Sequence, residues 1–579
     1  MKPFLVILTA LKLPKTLFIK PFSFMKQTPS NPILEFNIAS LKISITKFWF
    51  WLLAIIIYIF GRLPYLFMPH WNFDEGVYLS IGSDLNQGFN LYSQTWDHKP
   101  PVLYWVYQLL LKISNNQYFI FPLVNFFLGL LIIFLVYKIS YYFFTNQSKT
   151  STLETKLPYL IVIITTLFLA TGLWEAAVFN GENLFIPLIL GSIYFFLFKK
   201  HWGFDILSGV LIALAIGTKA NTVVELIGFF VGYLIINFSD LKNTIWRYAR
   251  IIVTSVILIL MVLINFNFKN ELQFSLYSIF GYNTQYVEIN NNEFSSIWGV
   301  PLFNGKRYQP DRNGISDLQL RTILLITWIV VLSLFTYQTK SRSKKILYLI
   351  WLGFGFYAVT LSSRNYSHYL LQLIPLLALG FGFIVEISFK IWQNYQQKFK
   401  LNSFFPILSA VLIWVICIQQ IVFVFGSGSS KISLDVFPLE LTYRDFYYSL
   451  ATGKIEPWRA DIQKYVYWYY PINQIIETSK QLTPVNGRFW HYSNISALCY
   501  YAERKCGYTA HLWFHIEGEI QNRTLDNLVK EPPNTIFVDD QIKANPEIQE
   551  FISKNYNLTK TIPDIFNNTP RYQFWILKV

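Results

Sequence analysis

Charge is what this sequence has least of. Only 14% of its 579 residues are Asp, Glu, Lys or Arg, too few to clothe several soluble domains or to hold a long chain disordered. Cysteine is nearly absent too, and three in the whole chain exclude a disulfide-framed fold. The apolar run from Phe4 to Leu11 is too short to span a bilayer, and no small-residue cleavage site follows it, so a removable signal peptide is not expected. No internal repeat relates one half of the chain to the other, as paired transporter halves would.

What fills the space is apolar: 53% hydrophobic and 19% aromatic residues, the composition of a membrane protein. The net charge of +15 does not point to nucleic acid, because the lysines and arginines fall in short connectors between apolar runs and not on one basic face. Spanning takes roughly 17 to 25 mostly apolar residues, fewer for a helix half-buried in a bundle. By that criterion the sequence predicts eleven spans, near 48–67, 119–144, 158–179, 183–199, 205–217, 222–237, 248–268, 320–338, 346–362, 368–389 and 403–425. Basic residues then collect in alternate connectors, such as Lys199-Lys200 after the fourth span and Arg342, Lys344 and Lys345 after the eighth, as the positive-inside rule requires.

The predicted layout is a polytopic α-helical membrane protein. A basic cytoplasmic N-terminus covers residues 1–47, a transmembrane region 48–425, and an extracytoplasmic α/β domain 426–579. In the tail, Arg488 to Tyr492, Thr535 to Val538 and Tyr572 to Leu577 read as strands, with Ile472 to Leu482 and Pro546 to Asn555 as helices. Three outer segments result: 68–118, 269–319 and the tail. The first holds Pro100-Pro101 and then an aromatic, helix-length stretch suited to the membrane interface.

On this topology the ionisable residues at the outer ends of spans form one set: Asp74, Glu75, Asp97, His98, Lys99, Glu182, Lys219, Arg364 and His368. Charges at such depth are costly unless they face one another or a charged ligand, which makes them candidates for function; the alternative is that each ends a helix or reaches to the headgroups. Lys99, Lys219 and Arg364 suit a phosphate, arginine as a fork and lysine as a point charge. A carboxylate beside them suits proton transfer from an acceptor hydroxyl. The set thus fits group transfer from a phosphorylated lipid. Clustering at one face argues against a transporter, whose charges belong near the bilayer midplane.

Asp74-Glu75 followed by Asp97-His-Lys-Pro-Pro-Val-Leu-Tyr-Trp105 resembles the first outer loop of the C-type superfamily of lipid-linked glycosyltransferases, in its protein O-mannosyltransferase and lipid A aminoarabinose transferase branch. Looser similarity continues through Asn180 to Phe185, Ala215 to Ala220 and His368 to Pro375. The resemblance implies an inverting transferase that takes a sugar from a polyprenyl-phosphate carrier at the outer membrane face, with a lipid, glycan or protein acceptor and no cofactor. It implies Asp74 as the base or acceptor-positioning carboxylate and Glu182 as the second acidic residue. Lys99 becomes a phosphate ligand, with Glu75, His98, Lys219, Arg364 and His368 lining the substrate. Some relatives carry an acid where this chain has His98, so neither an acid role nor a metal-ligand role is expected there, and no metal-motif spacing accompanies it. A surface-polysaccharide polymerase or ligase would use a similar carrier and remains an alternative.

Cys499 and Cys506 either pair, if a short helix breaks into a turn between them, or stay as separate buried thiols. The topology carries its own test. A reporter enzyme active only outside the cytoplasm is expected to work when fused after Val579 and to fail after Lys345; the reverse pattern overturns the eleven-span order.

Overall fold

The computed structural model describes residues 34–38, 41–45, 47–70, 72–145, 152–284, 294–297, 300–304, 342–361, 367–399, six positions between 408 and 415, 440–466, 471–511, 519–540, 546–564 and 568–578. The chain forms two compact units, Met1–Ile56 and Ile57–Val579. In the first, Leu34–Ile38 and Leu41–Ile45 pair as antiparallel strands within what the sequence had suggested only as a basic segment.

Helices dominate the second unit. Among the described residues of the whole chain, five helices are long and apolar enough to cross a membrane: Lys47–Phe67, Ile120–Phe144, Gly181–Phe198, Phe238–Phe268 and His368–Gln393. Shorter apolar helices, among them Trp202–Thr218 and Thr222–Ile236, stand beside them. Helices also cover the predicted spans at 158–179 and 346–362, as Thr152–Ala170 and Arg342–Thr360. The expected span at 320–338 and most of 403–425 lie outside the described residues, as does Arg364. One boundary differs in a way that matters. The span expected at 158–179 stops at Ala170, and Gly172, with a φ of 67°, turns the chain out of the helix. Residues 171–180 are therefore loop with one short 3₁₀ turn, and they carry Glu175.

Close approach and buried ion pairs hold the bundle together. A Cβ on Gly209 would come within 2.6 Å of the Ile251 carbonyl oxygen, so the Trp202–Thr218 and Leu241–Phe268 helices cross where only glycine fits. At the same crossing the fully buried Asp205 accepts from Arg247 at 2.8 and 2.9 Å and from Arg250 at 2.6 and 3.0 Å. Its four charge-assisted hydrogen bonds offset the cost of burying the carboxylate.

Near the C-terminus a four-stranded sheet runs in the order Phe489–Tyr492, Thr535–Asp539, Pro570–Leu577, Tyr556–Pro563. Its first pair is parallel and the other two antiparallel. The fourth strand was not anticipated, because Tyr556–Pro563 buries only Tyr556 and Ile562 and shows no clean alternation. Ile472, Ile475, Phe489, Phe537, Tyr572 and Phe574 share one core beside this sheet. Arg571 is clamped between Asp539 and Asp564. A second cluster joins Tyr78, Tyr104 and Tyr107 from the first outer segment to Trp490, Tyr492 and Ile536 of the sheet. Thr95–Trp96 adds a short parallel pair with Thr509–Ala510, so backbone hydrogen bonding also ties these segments together.

Cys499 and Cys506 are bonded, with α-carbons 5.9 Å apart. The helix Leu498–Ala502 ends at Glu503 in the left-handed region, and this break brings the second cysteine back to the first. Closing so short a loop stabilises by about 2.5 kcal/mol in the chain-entropy account. Cys499→Ala is expected to lower thermal stability by that order. Alkylation of unreduced, denatured protein should block Cys417 alone; three alkylated cysteines would reject the bond.

Candidate functional site

The site grows from two segments that enter it from opposite sides. Asp74 and Glu75 open the Phe73–Asn86 helix, whose N-terminus is capped by Asn72 accepting from the Glu75 backbone N–H at 3.1 Å. Carboxylates in a first helical turn sit well against the positive end of the helix. The helix is fixed on its far side. The Ser80 hydroxyl donates to the Ser496 carbonyl at 2.7 Å, and His511 Nε2 lies 2.9 Å from Asp84 Oδ2.

Asp97, His98 and Lys99 come in on the loop before the Val102–Ile113 helix. Asp97 Oδ1 accepts the His98 backbone N–H at 2.8 Å and lies 2.9 Å from His98 Nδ1, while Oδ2 accepts from the Tyr104 hydroxyl at 2.8 Å. The Tyr92 hydroxyl donates to the Lys99 carbonyl at 2.8 Å. So anchored, Lys99 places its ammonium 3.6 Å from Asp74 Oδ2 and 3.7 Å from Asp97 Oδ2, over the Tyr78 ring at 4.8 Å.

The third wall comes from helix ends and the 171–180 loop. Glu182, in the first turn of Gly181–Phe198, pairs with Lys219, whose ammonium lies 3.9 Å from the Tyr369 ring centroid. His368 Nδ1 is 3.5 Å from Glu175 Oε1, and Glu175 Oε2 accepts from the Asn72 amide at 2.9 Å. Trp174 and Glu175 both hold positive φ, of 55° and 63°, a backbone cost that surrounding contacts must sustain. They do so through the loop's carbonyls: that of Ala176 accepts from Arg62, Asn125 and Asn183, and that of Phe179 from Tyr107.

Asp74, Asp97, His98, Lys99, Glu182, Lys219 and His368 thus form one charged cluster. Burial works against charge on Asp74, but Lys99 and then His368 outweigh it and hold the carboxyl below its ordinary range. The same contest on Asp97, won by Lys99 and His98, keeps that group well below a normal aspartate. Lys99 answers in kind: burial opposes its charge, and Asp74, Asp97 and Glu182 more than restore it. Asp74 is the most open of the acids, with its side chain 38% exposed.

Glu75 stands apart from the cluster. It is buried, accepts from the Tyr118 hydroxyl at 2.8 Å and the Phe179 backbone N–H at 3.3 Å, and burial pushes its pKa up to about 8. Glu175 was missed in the sequence because it fell inside an expected span; the Thr171-Gly172 stop signal was the clue. Elsewhere, His491, Cys499 and His511 bring possible metal-ligand atoms within 4.8 Å of one another among the described residues, but the Cys499 sulfur is taken up by the disulfide.

A helical membrane protein whose helix ends gather carboxylates around lysines is the class this geometry defines. Residues 98–265 match the family model for dolichyl-phosphate-mannose-protein mannosyltransferase. The match covers less than a third of the chain, and over that segment the chain is similar to a family of glycosyltransferases. The matched segment holds His98, Lys99, Glu182 and Lys219; Asp74 precedes it and His368 follows it. Among solved structures the chain is similar to ArnT from Cupriavidus metallidurans bound to undecaprenyl phosphate, at 13% identity and a TM-score of 0.47, over 91% of this chain and 97% of that one. No curated protein matches significantly.

The buried Glu75 gives a pH signature. Its folded-state pKa of about 8 exceeds the ordinary 4.5, so its proton stabilises the fold fully below pH 4.5 and that contribution is lost as pH rises towards 8. Glu75→Gln removes the loss. Thermal melting across this window should be flatter than in the wild type, with a gain of about 4 kcal/mol at pH 8. Parallel wild-type and variant curves would refute the assignment.

Proposed function

We propose that the chain transfers a sugar with inversion from a polyprenyl-phosphate carrier to an acceptor at the outer membrane face, the helices of 48–425 holding the carrier and residues 426–579 lying outside. One observation carries this reading: the Lys99 ammonium stands at ion-pair distance from two carboxylates, yet beyond hydrogen-bond distance of both. Its three N–H donors are not committed to those carboxylates and are available to a phosphate.

In the reaction the acceptor hydroxyl oxygen attacks the sugar's anomeric carbon from the face opposite the phosphate. The bond from that carbon to the phosphate oxygen breaks, and the electron pair leaves with the polyprenyl phosphate. Asp74, charged and partly exposed, takes the hydroxyl proton as the new bond forms. Lys99, with Lys219 and Arg364, stabilises charge on the departing phosphate, where arginine offers two parallel donors. Glu182 holds Lys219, and His98 and His368 line the sugar. Glu75, assigned to the substrate by sequence, acts instead by supporting the Phe179 turn and the start of the Asp74 helix.

The acids and cations separate under mutation. Asp74→Asn is expected to lower transfer roughly a hundredfold to ten-thousandfold while carrier binding persists. Lys99→Ala is expected to weaken binding of the polyprenyl-phosphate sugar about tenfold or more. Transfer measured with purified carrier-linked sugar checks both; near-normal turnover by Asp74→Asn sinks the catalytic assignment.

A further inference from the structure

The turn that carries Glu175 is built at a cost. Trp174 and Glu175 hold φ of 55° and 63° in succession, and neither is a residue type that enters the left-handed region readily. A glycine at 175 would take the same backbone without that cost. What the strained position retains is therefore the glutamate side chain, and strain of this kind points to a function at the residue that bears it.

The carboxylate is shared between two elements. Its Oε2 accepts from the Asn72 side-chain amide at 2.9 Å, and its Oε1 lies 3.5 Å from His368 Nδ1. With its nitrogen committed to Glu175, the Asn72 amide turns its oxygen to the Glu75 backbone N–H at 3.1 Å, the cap bond of the helix that carries Asp74 in its first turn. An amide turned the other way round could not accept that N–H. Glu175 thus fixes the sense of the cap and, through it, the start of the Asp74 helix. On the other oxygen, His368 opens the His368–Gln393 helix and stands within electrostatic reach of Asp74 and Glu182. One carboxylate joins both walls.

Resting on the transferase reading, we propose that Glu175 is a positioning residue of the transfer reaction: it touches no reacting atom, and it sets the place of Asp74 through Asn72 and that of His368 directly. The strain separates this role from a purely structural one. Glycine relieves the left-handed backbone and alanine does not, yet both remove the carboxylate. Were Glu175 kept only for the stability of its loop, activity would follow melting temperature; under positioning it follows the carboxylate.

Full-length Glu175→Gly, Glu175→Ala and Glu175→Gln in detergent test this, with polyprenyl-phosphate-linked sugars extracted from host membranes as donor and membranes of a strain lacking the chain as acceptor. Turnover is expected to fall about tenfold to a hundredfold in the glycine and alanine variants alike, with the carrier concentration for half-maximal rate within about twofold of wild type. The glycine variant should melt above the alanine variant. Glutamine keeps an acceptor for Asn72 and should retain more turnover than either. Hydrogen exchange at the Glu75 amide should be faster in the glycine and alanine variants than in the wild type. Wild-type turnover in both, turnover that ranks with melting temperature, or unchanged exchange at Glu75 overturns the proposal. Faster exchange at Glu75, in a protein whose wild type transfers no sugar, would leave the placement of Asp74 by Glu175 standing and remove the transferase reading.

Discussion

A lysine held between two aspartates is the constraint on which the charged cluster and the segments around it depend. An ammonium in a poorly solvated cleft keeps its charge only if counter-charges stand close, and Asp74 and Asp97 supply them from separate segments. The segments must therefore be locked together. Tyr104 serves Asp97 and the Lys99 backbone at once, Tyr92 serves the Lys99 carbonyl, and the Thr95–Trp96 pairing with Thr509–Ala510 fixes the loop from below. The cluster of buried tyrosines is thus packing and hydrogen-bonding scaffold at once: large apolar bodies fill the core while hydroxyls orient charge.

Adjacent carboxylates with opposite surroundings divide the labour. Asp74 faces cations and stays ionised; Glu75, one residue on, faces Tyr118 and a backbone N–H in an otherwise apolar setting and holds its proton more tightly. Successive residues on a helix point about 100° apart, so one turn can serve both the charged cluster and the core. The left-handed Glu175 belongs to the same construction, since it joins Asn72, the cap of that helix, to His368.

Much of this was legible before any coordinates. Long apolar runs and alternating basic connectors located most helices, because lipid leaves the backbone few alternatives to the helix. The Asp-Glu and Lys-Pro-Pro blocks named the first wall of the site, since paired charges beside a helix start carry a strong local signal. Less legible was anything that turns on where a helix stops. Gly172 lies inside an apolar stretch whose hydropathy continues to Phe179, and hydropathy alone cannot see that the chain has left the helix and brought Glu175 inward. Nor does residue type distinguish Glu75 from Asp74, because their difference is made by Tyr118 and Phe179, which are remote in sequence.

The two lysines of the cluster show how the same residue type can be fixed for different work. Lys219 is hydrogen-bonded to Glu182 and capped by the Tyr369 ring, so its charge is committed to joining two helix ends. Lys99 rests over a tyrosine face with its carboxylates held slightly too far for hydrogen bonds, so the field that keeps it charged does not use up its donors. An incoming phosphate oxygen would form with Lys99 the short contacts the aspartates do not, whereas at Lys219 it must displace a bonded carboxylate. Under the proposed transfer that difference would order the site: Lys99 would meet the carrier phosphate first, and Lys219 would add its charge from the opposite wall that it keeps in place with Glu182.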